Sequence, residues 1–153
     1  MDPPILDPLA LSRLRALSDA VARPGEDVLG RLLQIFIEDS RARLTVLQAA
    51  AAKGDVVEGA RMAHNMKGAA ANMGALRVVA AAVAVEACCR SQLDAVPRSA
   101  SRVGEFTDTA SRVGELSTGS SPGGDEFAAQ VTTLAEALEE SWPELRRSFA
   151  RRE

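Results

Sequence analysis

The chain has 153 residues, of which 46% are hydrophobic and only 3% aromatic. That is enough to bury one core and gives no reason for a second, so residues 1–153 are expected to form a single domain. A net charge of −3 and a pI near 5.3 provide no overall attraction for nucleic acid or anionic lipid.

The start, MDPPILDP, has neither the basic region nor the apolar run of a signal peptide, and no stretch approaches the ~18–20 uninterrupted apolar residues of a membrane span. A cytoplasmic protein with neither membrane nor nucleic acid as partner is therefore expected. Cys88 and Cys89 are adjacent, so they cannot form an ordinary staple with each other, and no second pair completes a zinc site. Alanine and leucine dominate while β-branched residues are scattered, which favours helices packed on helices.

Asp7 before Pro8 is a helix start, because a carboxylate caps the first turn and the proline lacks an N–H that would be unpaired anyway. This short helix should reach about Ala22, where RPGED turns the chain. From about Asp27 a long helix carries Leu29, Leu33, Phe36, Ser40, Leu44, Leu47 and Ala51 on one stripe, and Gly54 ends it. Asp55 then caps a helix over Val56–Met73, with Glu58 at the reciprocal capping position and Gly74 as the stop. A further helix runs from near Leu76 to about Ala95, since its length and alanines outweigh its valines, and Pro97 opposes continuation.

Between Arg98 and Gly124 the sequence turns to Ser, Gly, Thr and charges, with SRVGEFTDTA repeated imperfectly as SRVGELSTGS. Such a long connection is unusual inside a compact domain. From about Asp125 the last helix places Phe127, Val131, Leu134, Leu138, Trp142, Leu145 and Phe149 on one stripe, with Pro143 expected to kink or break it. The fold expected is all-α: an antiparallel four-helix bundle with the short N-terminal helix as a lid at one end.

His64, the one histidine of the chain, falls mid-helix. At 100° per residue, Gly59, Met62, Met66, Ala69 and Met73 lie on the opposite, core-facing side, so His64 points outward. Its face carries Val57, Ala60, Arg61, Lys67, Gly68, Ala71, Asn72 and Ala75. Gly68 costs the helix about 1 kcal/mol relative to alanine with no folding benefit in view, but it clears space beside the imidazole. A low-relief face of this kind suits insertion into another protein's concave site better than retention of a small substrate.

An exposed imidazole is largely neutral near pH 7, and its free nitrogen is a nucleophile able to accept a phosphoryl group. Lys67 could offset charge on the phosphoryl oxygens by roughly 1–4 kcal/mol, so its loss should slow transfer about 10-fold or more. Metal binding lacks ligands, with one histidine and no carboxylate at i±3 or i±4 from it. A Ser/His/Asp hydrolase lacks a nucleophile elbow.

The segment AHNMKGAAANMGA resembles the signature of histidine-containing phosphotransfer (HPt) domains through His64, Met66, Lys67, Gly68 and Gly74, with Met66 in place of the commoner leucine. LLQIFIEDSRARLTVLQAAAAKGD and ALRVVAAAVAVEACCR are similar to the flanking helices of that family, and the likeness covers roughly Leu6 to Arg90. The Ser/Gly-rich insertion at about 98–124 has no counterpart in it.

The resemblance implies a phosphorelay intermediate that is not an enzyme and has no autokinase activity. His64 would take a phosphoryl group from a receiver-domain aspartyl phosphate and pass it reversibly to another receiver. It implies electrostatic help from Lys67, close approach at Gly68, and a polar residue of the preceding helix near the histidine, for which Gln34 is the candidate. Docking would use Gln34, Val57, Ala60, Arg61, Ala71, Asn72 and Ala75. The partners implied are response-regulator receivers and a hybrid or separate sensor histidine kinase; the chain would be a monomer without a cofactor of its own, with Mg²⁺ in the receiver. Two alternatives stay open: a detached chemotaxis-kinase-type module labelled by a separate kinase domain, and a binding-only helical adaptor with an inert histidine.

Overall fold

In the computed structural model, residues 4–95 and 122–150 are described. They form five helices: α1 Pro8–Val21, α2 Val28–Lys53, α3 Val56–Met73, α4 Leu76–Ala95 and α5 Pro122–Phe149. Helices α2 to α5 close a bundle in which each packs on the next and α5 returns to α2, while α1 lies across α2 and α3. Gln92 meets Gly123 and Arg77 meets Glu140, so α4 and α5 run antiparallel. The SRVGE duplication lies outside the described residues.

Each of the first three helices starts on an aspartate. Asp7, Asp27 and Asp55 accept the backbone N–H of Leu9, Gly30 and Glu58 at 2.9, 2.9 and 3.0 Å. Gly54 and Gly74 end α2 and α3 in the left-handed conformation, at φ 68° and 72°. The reciprocal half of the expected capping box does not form. The Asp55 N–H already donates to the Ala50 carbonyl in the α2 terminus, and Glu58 turns instead to Arg61. Gly74 also lets α1 approach: its carbonyl accepts the Asp7 N–H at 2.7 Å, and a Cβ there would lie 3.0 Å from that of Ala10.

Two boundaries differ from the sequence expectation. Helix α5 begins at Pro122, three residues ahead of Asp125, because Gly123 lies tight against α4, where a Cβ would meet Gln92 at 3.0 Å and its carbonyl accepts the Gln92 amide at 2.7 Å. It also continues through Pro143 without a break. Pro143 is exposed, and the flanking Trp142 and Leu145 are anchored in the core, Trp142 beneath the Arg41 guanidinium at 4.5 Å.

The core joins the predicted stripes. Leu33, Phe36, Ile37 and Leu47 from α2 meet Met62, Met66 and Met73 from α3, Val78, Ala82 and Val85 from α4, and Phe127, Leu134, Leu138 and Leu145 from α5. With few aromatics available, close helix approach supplies much of the packing. Gly59 has no room for a side chain, since a Cβ would fall 2.3 Å from Phe127 Cζ.

Candidate functional site

His64 stands on the outer face of α3, its side chain 63% exposed, while Met62, Ala63 and Met66 around it are buried. The core face therefore includes Ala63 and Ala70 as well as the expected residues, and Ala69 is half-buried against them. Gly68, one turn after His64, has nothing within 4 Å of where its Cβ would be. The open space expected beside the imidazole is there.

The imidazole has a partner that the α3 sequence does not reveal. Glu86 of α4, with a side chain only 6% exposed, brings Oε1 within 3.2 Å of His64 Nδ1 and accepts Lys67 Nζ at 2.6 Å on Oε2. Arg90, one turn along α4, pairs with the same Oε1. The carboxyl of Glu86 is held below its ordinary value of 4.5: the Lys67 hydrogen bond does most, the His64 hydrogen bond and the charges of Arg90 and Lys67 add to it, and burial opposes them. An ionised carboxylate is an acceptor only, so it takes the Nδ1–H of a neutral imidazole and leaves the lone pair on Nε2. The same contact turns the ring on its χ angles toward one orientation.

On the α2 side, Arg43 reaches over to the Asn65 carbonyl at 3.2 Å and is paired with Asp39 at 2.7 Å. On α3 itself Arg61 forks onto Glu58 at 2.8 and 2.6 Å, which raises the guanidinium pKa and lowers the carboxyl, in both cases chiefly through that hydrogen bond. Cys88 and Cys89 are buried behind the site. Burial, then the neighbouring Cys88, pushes the Cys89 thiol to about 11, so it stays protonated and inert.

Of the residues expected to face a partner, Val57, Arg61, Ala71 and Asn72 are exposed and Ala60 is half-buried. Ala75 is not on this face. It is fully buried, because α3 stops at Met73 and the left-handed Gly74 redirects the chain, so the 100° progression no longer applies; Ala75 opens α4 by accepting the Val79 N–H. Gln34 is not brought to the histidine either. Its amide donates to Glu38 of its own helix at 3.0 Å, and it lines a cleft with Arg41 and Arg146, on the α5 side of α2.

The residues missed in the sequence are Glu86, Arg90 and Arg43. Glu86 did leave a trace, as the only charge between Val78 and Cys89. A lone carboxylate in so apolar a run has to find cations, and Arg90 at i+4 is one of them.

Among the described residues, no group of three His, Cys, Asp or Glu side chains is placed to hold a metal, and no helix is long and apolar enough to cross a membrane. Among curated proteins and solved structures no match is found. The sequence profile of the Hpt domain matches residues 31–141, which takes in His64, Lys67, Gly68, Glu86 and Arg90 together with α3, α4 and most of α2 and α5. An exposed histidine on a four-helix bundle, set in that profile over most of its length, makes the chain a member of the Hpt domain family, the phosphotransfer modules of phosphorelays.

Proposed function

We propose that His64 is the phosphorylated residue, that it takes its phosphoryl group from the aspartyl phosphate of a receiver domain, and that it returns the group reversibly to another receiver. The observation that carries this reading is the exposed imidazole whose Nδ1 is engaged by a buried carboxylate. The Nε2 lone pair attacks phosphorus as the bond from phosphorus to the aspartyl oxygen breaks. The carboxylate leaves with that electron pair, and the ring, retaining its Nδ1 proton, gains positive charge as the N–P bond forms. Glu86 stabilises that charge, and Lys67, one turn from His64 and bonded to the same Glu86, is the cation we assign to the phosphoryl oxygens. Mg²⁺ belongs to the receiver; this chain acts as a cytoplasmic monomer without a cofactor or autokinase activity.

Val57, Gly68, Ala71 and Asn72 supply the low-relief docking face. Beside it, Leu14, Leu32, Ile35, Phe36, Ala69 and Met73 line a shallow cleft of about 200 Å³ that suits an apolar side chain of the partner.

The test is labelling with a phosphorylated receiver. Acid-labile phosphate should appear on the chain and be lost in His64→Gln. Labelling by a kinase domain with ATP, and by no phospho-receiver, would instead identify a chemotaxis-kinase-type module. A His64→Gln chain that still supports signalling would be a binding-only adaptor.

A further inference from the structure

A carboxylate beside an imidazole poses a problem for a nucleophile. Alone at 3.2 Å from Nδ1, Glu86 would favour the imidazolium, whose Nε2 has no lone pair to offer. The contact that orients the ring would then also disable it. What distinguishes this site is that Glu86 is not alone with the histidine: Arg90 sits on Oε1, the oxygen that His64 uses, and Lys67 sits on Oε2.

We propose that Arg90 is a positioning residue acting on His64 through Glu86: by sharing Oε1 it keeps the carboxylate's charge from fixing a second proton on the ring, so that orientation and nucleophilicity coexist. The role rests on His64 being the phosphoryl acceptor, but the property it sets belongs to the free protein.

Two of the other cations around the imidazole are held elsewhere. Arg61 is committed to Glu58 and Arg43 to Asp39 and the Asn65 carbonyl. Lys67 also neutralises Glu86, and more strongly, from the other oxygen, but it is the cation given to the phosphoryl side of the chemistry assigned above, which leaves Arg90 as the one that serves the carboxylate alone. The Arg90 side chain is 66% exposed on α4, so its charge can be removed with the fold intact.

The measurement is the titration of His64, the sole histidine, by NMR of its ring carbon and nitrogen nuclei, in wild type, Arg90→Met, Arg90→Lys, and Arg90→Met combined with Glu86→Gln. Arg90→Met should raise the midpoint by about half a pH unit, the size expected for one well-solvated charge removed at hydrogen-bonding range of a shared partner. The acid limb of phosphoryl acceptance should move up with it, and Arg90→Lys should restore both.

In the Glu86→Gln background the effect of Arg90→Met should shrink, because the anchor through which Arg90 acts is gone. A midpoint that stays put or falls in Arg90→Met overturns the proposal, as does an equal rise without Glu86, which would make Arg90 a direct and unspecific charge. If the titration shifts as expected while no phospho-receiver labels His64, the role of Arg90 stands and the carrier reading alone is lost.

Discussion

Gly68 separates folding from partner recognition in a single substitution. It lies inside α3, where glycine is about 1 kcal/mol less favourable than alanine. A Cβ at this position would meet nothing within 4 Å, so Gly68→Ala should recover that energy in full, and its Tm should rise by about 3 °C for a chain of 153 residues. Gly68→Gln has nearly the helix propensity of alanine and should also stay above wild type.

Phosphoryl transfer should move the other way. A side chain wedged between docked surfaces costs roughly 1–3 kcal/mol, which is about 5- to 150-fold, with the methyl of alanine at the low end and glutamine at the high end. The loss should fall on KM for the phospho-receiver, since the imidazole and its Glu86 contact are untouched. Paired thermal melts and transfer kinetics read both quantities from one preparation. A lower Tm for Gly68→Ala would mean that the glycine serves the fold, and unchanged transfer for Gly68→Gln would mean that no partner comes near it.

Gly59, nine positions earlier on the opposite face of α3, should show the reverse pattern: Gly59→Ala drives a methyl into Phe127 and should lose about 1–3 kcal/mol in denaturant unfolding, with transfer per folded molecule unchanged. Glu86 makes a pH prediction. Its folded-state carboxyl titrates below the ordinary 4.5, so the unfolded chain binds the proton more readily; the stability it contributes is complete above that value and is lost as pH falls through the folded one. Unfolding free energy measured between pH 7 and 3 should therefore fall less steeply in Glu86→Gln than in wild type. At pH 7 the variant should be about 1–2 kcal/mol less stable, because Lys67 and Arg90 both lose a charged acceptor but can turn to water.

The helices were legible because their ends are written in local chemistry. An aspartate before each of the first three, and glycines after the second and third, satisfy orphan backbone groups wherever the chain goes next, so α2 and α3 have the ends that the sequence implies. The start of α5 was not legible in this way. Two glycines after Pro122 weaken any local expectation of helix, and what selects helix there is contact with Gln92, thirty-odd positions away in the chain. Pro143 is the same case from the other side: a local breaker carried by a helix whose neighbouring residues are held by the core.

The site divides along the same line. Helical periodicity orders the neighbours of His64 on α3, and it placed Lys67, Gly68, Ala71 and Asn72 where they are found. It fails two residues past the helix, at Ala75, because it assumes a helix that Gly74 has ended. Nor can it say which residue of another helix arrives at the imidazole, since that depends on how the two helices are rotated and offset against each other. Gln34 is the polar candidate on α2, but the stripe that buries Leu33 and Ile37 turns it toward the α5 side. Glu86 arrives from α4, whose apolar residues run nearly all round and so give no clear inner face to read. The usable signal lay in energetics instead of periodicity: a carboxylate amid valine, alanine and cysteine is stable only if cations surround it, and the cations within reach belong to the histidine's own face and the next turn of α4.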